Sequence, residues 1–410
     1  MSGIGRALGA LIVGLGLAAA PAAAQKEIVV WHAYRGGERA AFEKVIAAYN
    51  AGSAAKGIKV ATLAVPYDAF ADKITAAVPR GKGPDVFIYA QDRLGGWVEA
   101  GNTIEPIDFF LDDATTGRFL PTTLQAMTYR GAVYGLPLNY KVITMIYNKK
   151  LVTKPPATSA ELVATAKRLT DRATGRFGLA YHYADFYYHA ALMNAFGGGV
   201  FGTGARPTLN SPANLEAVEQ LLRWLDVDQI LPHEPSVALI TALFNGGKAA
   251  MVFSGPWFLG EIDPALSYGL APLPRIDAAG GQPMRPWMTV EGVYIAAPSK
   301  NKDAAYDLAL YLTDLQAAKT LALEGRQTPA NQAVYRDPQV AADPVLKAFR
   351  QQVEVALPMP NLAEMTMVWS PATTAMNAIL KKSASPKVAL DEAQKDVEER
   401  IARLRGAAGS

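Results

Sequence analysis

Cysteine is absent from this chain of 410 residues, and histidine occurs only four times. Without cysteine there is no disulfide framework and no attachment site for a lipid anchor next to a signal sequence. So few histidines, together with the lack of thiols, also argue against a structural zinc site. We therefore expect a protein that folds and functions without a metal ion or a cofactor.

An excess of charge of one sign is also lacking. The chain has 40 Lys and Arg against 37 Asp and Glu, and the net charge of +3 is spread along its length. No basic stripe is present, so nucleic acid is not an expected partner. Half of the residues are hydrophobic, which is enough to build buried cores.

Only the N-terminus carries a long hydrophobic run. Arg6 precedes an apolar stretch over residues 7–20, and Pro21-Ala-Ala-Ala24 ends the stretch in small residues. This pattern predicts a signal peptide over residues 1–24, which is removed on export. A membrane anchor is the alternative, but the run is rich in Gly and Ala and too short to span a bilayer comfortably. The expected location is a bacterial periplasm.

Strands and helices alternate along the N-terminal part of the mature chain. Strands are expected at 28–31, 58–63 and 86–89, with apolar-faced helices between them. The order strand–helix–strand–helix–strand predicts a parallel sheet with right-handed crossovers. The mature chain is longer than the ~250–300 residues that one core supports, so two domains are expected.

Two later helices begin with capping residues, whose side chains accept hydrogen bonds from unpaired amides of the first turn. Ser211 followed by Pro212 predicts the start of an apolar-faced helix. Ser159 is likewise predicted to cap a helix over residues 159–169.

The segment from Gly83 to Arg93 is the most informative part of the chain. Its apolar run 86–89 predicts a covered strand, and ligands of open α/β sheets bind beyond the carboxyl ends of such strands. Asp92 accepts hydrogen bonds, Arg93 donates them, and Tyr89 offers a flat apolar face. Together they suit a polyhydroxylated ligand. The alternative is a surface salt bridge beside a half-buried tyrosine.

Further motifs follow this segment in a fixed order. They are Gly95-Gly96, Ile146-Tyr-Asn-Lys149, Gly247-Lys-Ala-Ala-Met251, Gly255-Pro-Trp257 and Met359-Pro-Asn361 with Trp369. In this order the chain resembles the periplasmic maltose/maltodextrin-binding proteins, which belong to the sugar-binding subunits of ABC importers. The resemblance extends over nearly all of the mature chain.

The resemblance implies an α/β fold of two lobes, each a mostly parallel sheet flanked by helices, with the ligand in the cleft between them. The implied lobes are discontinuous, with 27–138 plus 293–336 in lobe 1 and 142–288 plus 342–406 in lobe 2. Such proteins are monomers that close on an oligosaccharide by a hinge motion. They deliver it to the transmembrane subunits of an ABC permease, which works with a cytoplasmic ATPase.

The resemblance also implies a ligand site. It consists of Tyr89, Asp92 and Arg93 from lobe 1 and Asp185, Tyr187, Trp257 and Trp369 from lobe 2. The aromatic faces would stack on the apolar C–H patches of pyranose rings, and the charged groups would pair with sugar hydroxyls. The implied function is capture of a maltose- or maltodextrin-like di- or oligosaccharide, without enzymatic activity.

Three positions depart from the family's pattern. Arg35 lies where the family has an Asp-Lys pair, Lys141 replaces a glutamate, and Thr373 replaces an arginine. We include all three in the predicted ligand site. Because their charge or length differs, we expect maltose to bind more weakly than another glucose-containing sugar.

Two other classes of protein remain open at this point. A secreted glycoside hydrolase could use carboxylates such as Asp92, Asp185 and Glu291. Against it, the neighbouring Arg93 should lower the pKa of Asp92, whereas an acid catalyst needs a raised pKa. A ferric-ion or anion-binding protein of the same architecture could use adjacent tyrosines, here at 187 and 188.

Overall fold

The computed structural model describes residues 26–408, so the predicted signal peptide lies outside the described residues. The strands are β1 Lys26–His32, β2 Ile58–Ala64, β3 Val86–Ala90, β4 Thr128–Tyr129, β5 Ala132–Val133, β6 Gly135–Lys141, β7 Thr144–Asn148, β8 Phe177–Ala180, β9 Ala249–Ser254, β10 Tyr268–Ala271, β11 Arg275–Ile276, β12 Gln282–Pro283, β13 Trp287–Ile295, β14 Thr328–Pro329 and β15 Leu357–Pro358.

The helices are α1 Gly36–Ser53, α2 Tyr67–Ala77, α3 Leu94–Ala100, α4 Asp113–Thr116, α5 Pro121–Ala126, α6 Ser159–Leu169, α7 Phe186–Ala195, α8 Pro212–Leu222, α9 Val237–Asn245, α10 Pro256–Leu259, α11 Lys302–Leu312, α12 Leu315–Leu323, α13 Pro338–Ala342, α14 Pro344–Val353, α15 Met365–Leu380 and α16 Pro386–Ala408. Within residues 26–408, none of the helices combines the length and the apolar character needed to cross a membrane.

The larger sheet has the strand order β14-β6-β13-β3-β1-β2, with β15 attached to β13. Strand β1 pairs in parallel with both β2 and β3, which confirms the predicted parallel unit. Strand β13 runs antiparallel to β3 and to β6, and β14 is also antiparallel to β6. The prediction of a mostly parallel sheet is therefore wrong, because later strands enter this sheet in the opposite direction.

The smaller sheet has the strand order β10-β7-β9-β8. Only β8 and β9 pair in parallel, since β7 is antiparallel to both of its neighbours. This sheet is also mixed rather than mostly parallel. Both sheets are flanked by helices, so the predicted α/β class is confirmed. We call the parts of the structure built on the larger and the smaller sheet the first and the second lobe.

The chain passes between the two sheets more than once. Strand β6 ends in the larger sheet and β7 begins in the smaller one, with only the buried Val142 and Ile143 between them. Strand β13 then returns to the larger sheet, and α14 packs on β7 and β10 of the smaller sheet. Both lobes are thus assembled from separate stretches of sequence, while the residue boundaries predicted for them stay a proposal.

Strand β3 shows how burial fixes the direction of the side chains that precede the site. All five of its residues are buried, and the side chains of residues 86–89 enter two hydrophobic clusters in alternation. Val86 and Ile88 pack on one face of the sheet, whereas Phe87 and Tyr89 pack on the other. A continuous apolar run therefore forms a strand that is covered on both faces.

One of the two predicted helix caps is correct. Ser211 accepts a hydrogen bond from the amide of Asn214 at the start of α8. The predicted cap of α6 is wrong, because Thr158 rather than Ser159 accepts from the amide of Glu161, at 3.2 Å. The Glu161 carboxylate accepts in turn from the amide at residue 157, at 2.8 Å, so the acid satisfies the amide just before the cap residue.

Gly95 is required by a close backbone approach. Its amide donates to the carbonyl of Asn361 at 3.0 Å, and an added Cβ would lie 2.5 Å from the amide nitrogen of Ala363. Gly95→Ala should therefore displace the segment that leads into α15. We expect the free energy of unfolding to fall by ~1–3 kcal/mol, as in other overpacked sites, measured by urea denaturation.

Gly52→Ala is the matched control. Gly52 lies in α1, and no heavy atom lies within 4 Å of a Cβ placed there. This variant should be as stable as the wild type or slightly more stable. Equal stability of the two variants would contradict the requirement for glycine at position 95.

Candidate functional site

Several polar side chains meet where neighbouring strands of the larger sheet reach one edge. Strand β3 ends in a 3-10 turn over Gln91–Arg93, and β13 places Glu291 opposite Ala90. Strand β6 ends at Lys141, which pairs with Thr289, two residues before Glu291 on β13. Gln91 holds the turn in place, because its side chain accepts from the amide of Val290 at 2.7 Å. The order of the strands thus brings Asp92, Lys141 and Glu291 to one edge.

Lys141 is the centre of a buried charged group that we call the Lys141 cluster, formed by Tyr34, Glu38, Lys141 and Glu291. The ammonium of Lys141 lies 3.0 Å from a carboxylate oxygen of Glu38 and 3.0 Å from one of Glu291. Tyr34 donates from its hydroxyl to the other oxygen of Glu291 at 3.0 Å. All four side chains are buried.

The charges in the Lys141 cluster fix its protonation state. Burial alone would lower the pKa of Lys141, but the carboxylates of Glu291 and Glu38 outweigh this effect and raise it above its usual value. Burial and the nearby Glu291 raise the pKa of Glu38, against the opposing effect of the ammonium. Lys141 therefore stays charged, and one cation holds two carboxylates in fixed positions.

Asp92 is buried, with 4 % of its surface exposed. Trp369 donates from its indole nitrogen to Asp92 Oδ2 at 3.0 Å, and Arg93 Nε lies 3.2 Å from the same oxygen. Burial raises the pKa of Asp92 to about 6, although Arg93 and Trp369 act in the opposite direction. The predicted lowering by Arg93 is therefore wrong as a net effect, because loss of hydration outweighs one nearby guanidinium.

Tyr89 does not offer the open face that the sequence predicts. Its ring stacks between Tyr67 and Phe70, with ring centroids 4.9 Å away on each side. Only 5 % of Tyr89 is exposed. The aromatic position before the Asp-Arg pair is thus part of the core, and its faces are covered by two side chains from α2.

The aromatic residues predicted in the second lobe do come together. Tyr187 lies 6.1 Å from Trp257 and 6.4 Å from Trp287, and Trp287 lies 5.8 Å from Trp369. We call these four rings the aromatic wall. Trp287 is buried, whereas the other three are only partly buried. The ammonium of Lys141 lies 6.0 Å from the Trp257 ring centre, so the wall faces the Lys141 cluster.

Asp185 is the N-cap of α7, where it accepts from the amide of Tyr187 at 2.8 Å. Burial is the main cause that raises the pKa of its carboxyl. The hydroxyl of Tyr187 accepts from Thr289 at 3.1 Å, and Trp257 donates from its indole nitrogen to the hydroxyl of Tyr188 at 3.2 Å. These polar contacts fix the orientation of two rings of the aromatic wall.

The remaining two predicted residues have different environments. Arg35 lies at the start of α1, and its guanidinium is 2.9 Å from the Glu261 carboxylate, which follows α10 in the second lobe. It therefore forms a salt bridge between the lobes. Thr373 is exposed on α15, one turn beyond Trp369. The structure thus places Arg35 at the rim of the cleft and Thr373 on the outer part of a helix that supports the site.

Four site residues were missed by the sequence reasoning: Tyr34, Glu38, Tyr67 and Trp287. Tyr34 and Glu38 matter because they contact residues more than one hundred positions away. No local pattern reports such a contact. Trp287 is the first residue of β13 and follows the short ribbon of β11 and β12. Its place in the site depends on the pairing of β13 with β15, which is distant in sequence.

This chain is similar to known proteins. Residues 44–348 match the family model described as bacterial extracellular solute-binding protein. The match covers most of the chain. This chain belongs to that family. Its relatives are binding proteins rather than enzymes.

Named relatives extend the similarity along nearly the whole solute-binding protein. It is 32% identical to the "Maltotriose-binding protein" of Pyrococcus abyssi over 90% of this chain and 82% of the relative. It is 27% identical to the "Galactooligosaccharide-binding protein" of Bacillus subtilis over 82% of this chain and 81% of the relative. The resemblance to maltose/maltodextrin-binding proteins stated from the sequence is confirmed.

A solved structure is also similar. The "Maltose/maltodextrin-binding domain MalE from Bdellovibrio bacteriovorus bound to maltotriose" superimposes with a TM-score of 0.84 at 26% sequence identity. The superposition covers 92% of this chain and 100% of the other. The predicted two-lobed fold is therefore confirmed.

The raised pKa of Asp92 predicts a pH dependence for the stability of this binding protein. Between the usual pKa of 3.8 and about 6, the folded carboxyl keeps a proton that the unfolded chain has lost, so stability falls as the pH rises. Asp92→Asn removes this loss. The difference between these two pKa values corresponds to about 3 kcal/mol of the free energy of unfolding, at 1.36 kcal/mol per pH unit. The variant should therefore gain stability over the wild type between pH 4 and 7, measured by urea unfolding across that range.

Asp112→Asn is a control for which the effect on stability should change with pH in the opposite direction. Asp112 caps α4, and its hydrogen bonds with Thr115 lower the pKa of its carboxyl. Its contribution to stability is present at neutral pH and is lost as the pH falls. This variant should be weakened more at pH 7 than at low pH. A pH-independent difference between Asp92→Asn and wild type would show that Asp92 is not perturbed.

Proposed function

We propose that this solute-binding protein captures a maltose- or maltodextrin-like di- or oligosaccharide between its lobes and delivers it to an ABC importer. The partners are the transmembrane subunits of the permease, which work with a cytoplasmic ATPase. The protein acts as a periplasmic monomer after removal of residues 1–24, and it catalyses no reaction. The observation that carries this proposal is the aromatic wall facing a set of buried, mutually paired charges.

The aromatic wall suits a sugar because pyranose rings have apolar C–H patches. Tyr187, Trp257 and Trp369 are partly buried, and hydrogen bonds hold each of them in place. An aromatic side chain of this kind can cover ~150–250 Å² of a partner. Rings that are already fixed lose little conformational freedom when a ligand stacks on them.

The charges of the cleft favour a neutral ligand. Lys141 is compensated by Glu38 and Glu291, and Arg35 is paired with Glu261. An ionic ligand would need an unpaired charge of opposite sign, whereas sugar hydroxyls donate and accept without disturbing these pairs. Hydrogen bonds to charged groups are stronger than those between neutral groups, which suits hydroxyls that lose their water on binding.

Contacts between the lobes support binding by closure. Trp369 donates to Asp92 across the cleft, and Arg35 meets Glu261 at its rim. Near that rim, a Cβ on Gly260 would lie only 3.5 Å from the amide nitrogen at position 37. Contacts of this kind form when lobes close and are lost when they open. A hinge motion around the strand crossings would therefore admit the ligand and then enclose it.

The names of the relatives support a sugar as the ligand, but they name different sugars. One bears the name of maltotriose and another that of galactooligosaccharide. We propose a gluco-configured sugar, because the superimposed solved structure is bound to maltotriose. The roles of Arg35, Lys141 and Thr373 in choosing among such sugars remain part of the proposal.

The two other classes fit the site less well. In a hydrolase the catalytic carboxyls must be free to act, but Asp92 is held by Arg93 and Trp369, and Glu291 shares one ammonium with Glu38. Asp185 is engaged as the cap of α7. An iron site needs deprotonated phenols, whereas burial raises the pKa of Tyr188 to about 12 and that of Tyr187 still further. Within residues 26–408, no group of three or more His, Cys, Asp or Glu is placed to hold a metal ion.

Calorimetric titration with maltose, maltotriose, trehalose and sucrose tests the proposal. We expect heat of binding with at least one of these glucose-containing sugars, and weaker binding of maltose than of the best ligand. A ligand at 100 times its dissociation constant should also stabilise the protein by about 2.7 kcal/mol in thermal unfolding. Absence of binding to all four sugars would overturn the proposed ligand class.

Trp257→Ala tests whether the aromatic wall binds the sugar. Removal of a central aromatic contact should weaken sugar binding by ~2 kcal/mol or more. Trp257 also packs against both large hydrophobic clusters, so its loss will lower stability, and affinity must be measured on the folded protein. Unchanged affinity in the folded variant would remove Trp257 from the site.

A further inference from the structure

Tyr67 is the exposed end of a stack of three aromatic rings. Phe70 is fully buried and lies parallel to Tyr89, with an angle of 9° between the rings. Tyr89 is 5 % exposed and stacks in turn on Tyr67 at 26°. Tyr67 itself is 51 % exposed. The stack therefore begins in the core of the first lobe and ends in a ring whose outer face is open.

The topology places this open ring at the ligand edge of the sheet. Strand β2 is parallel to β1, which is parallel to β3, so the three strands end at the same edge. Tyr67 is the first residue of α2 and follows β2 after two residues. It thus lies at the same edge as Asp92, which follows β3.

Tyr67 lies near the charged groups of the candidate site. Loss of hydration and the charges of Tyr89, Asp92 and Glu291 raise the pKa of its hydroxyl well above the usual value. Half of the side chain is nevertheless accessible. Tyr67 thus lies near the charged groups of the site while half of its side chain stays accessible.

The second lobe faces the start of α2. The pKa of Asp185 is raised mainly by burial and also by the charge of Asp68, the residue next to Tyr67. Asp185 caps α7, whose second residue, Tyr187, belongs to the aromatic wall. The first turn of α2 therefore lies near the first turn of α7, which leads into the aromatic wall.

We infer that Tyr67, and not Tyr89, supplies the aromatic face on which the first lobe stacks a pyranose ring of the ligand. Both faces of Tyr89 are covered, so Tyr89 supports Tyr67 from behind. This inference rests on the proposed function and identifies the first-lobe counterpart of the aromatic wall. The ligand class is a sugar with an apolar ring face, and the interaction uses the π face of Tyr67 rather than its hydroxyl.

The experiment is a calorimetric titration of Tyr67→Ala and Tyr67→Phe with whichever of maltotriose, maltose, trehalose and sucrose the wild type binds. Tyr67→Ala should weaken affinity at least about tenfold, because a stacking face is lost. Tyr67→Phe should retain most of the affinity, because the ring remains. Tyr67→Leu keeps Tyr89 covered without an aromatic face, and it should behave like the alanine variant.

Phe109→Ala is the matched control. Phe109 is 94 % exposed and contacts the ring of Phe110 at the surface of the first lobe. Its removal should leave affinity unchanged. Thermal unfolding of each variant shows whether it is folded, and Tyr67→Leu decides the question if the alanine variant is not.

The possible outcomes separate this inference from the proposed function. Wild-type binding that persists in Tyr67→Ala and Tyr67→Leu would overturn the role of Tyr67 while leaving the proposed function intact. An equal loss in the phenylalanine variant would show that the hydroxyl acts, which contradicts stacking. A wild type that binds none of the four sugars would overturn the proposed function, and this inference with it.

Discussion

The ion pairs of Lys141 with Glu38 and Glu291 are the interaction on which the site depends. They join the start of α1, the end of β6 and the middle of β13, next to the chain crossing at Val142. Removing one partner from such a buried group leaves an uncompensated charge, which typically costs ~3–5 kcal/mol. The same pairs that hold these elements together also leave every charged group of the Lys141 cluster with a partner.

This pairing determines what the cleft can hold. Charged groups that already have partners offer oriented donors and acceptors, and the single ammonium is engaged by two carboxylates, so a neutral, hydroxyl-rich molecule suits the cleft better than an anion. The second lobe supplies the apolar surface for such a ligand through the rings of Trp257, Trp369 and Tyr187. Asp92 and Trp369 then connect the two lobes directly, since the indole donates to the carboxylate.

Local patterns in the sequence predicted the elements well and the contacts less well. The apolar run of β3 and the spacing of strands predicted a covered strand and a parallel unit, because these depend on neighbouring residues. The pairing of Lys141, the burial that raises the pKa of Asp92 and the covering of Tyr89 by Tyr67 depend on residues distant in sequence or on the packed core. They could be found only once the chain was folded.

A crystal structure of the protein with the sugar that binds most tightly would show whether the cleft between the lobes holds that sugar. We expect one sugar between the lobes, with its rings against the aromatic wall and its hydroxyls near Asp92 and the Lys141 cluster. Sugar bound outside this cleft, or a cleft occupied by an ion held by unpaired charges, would contradict it.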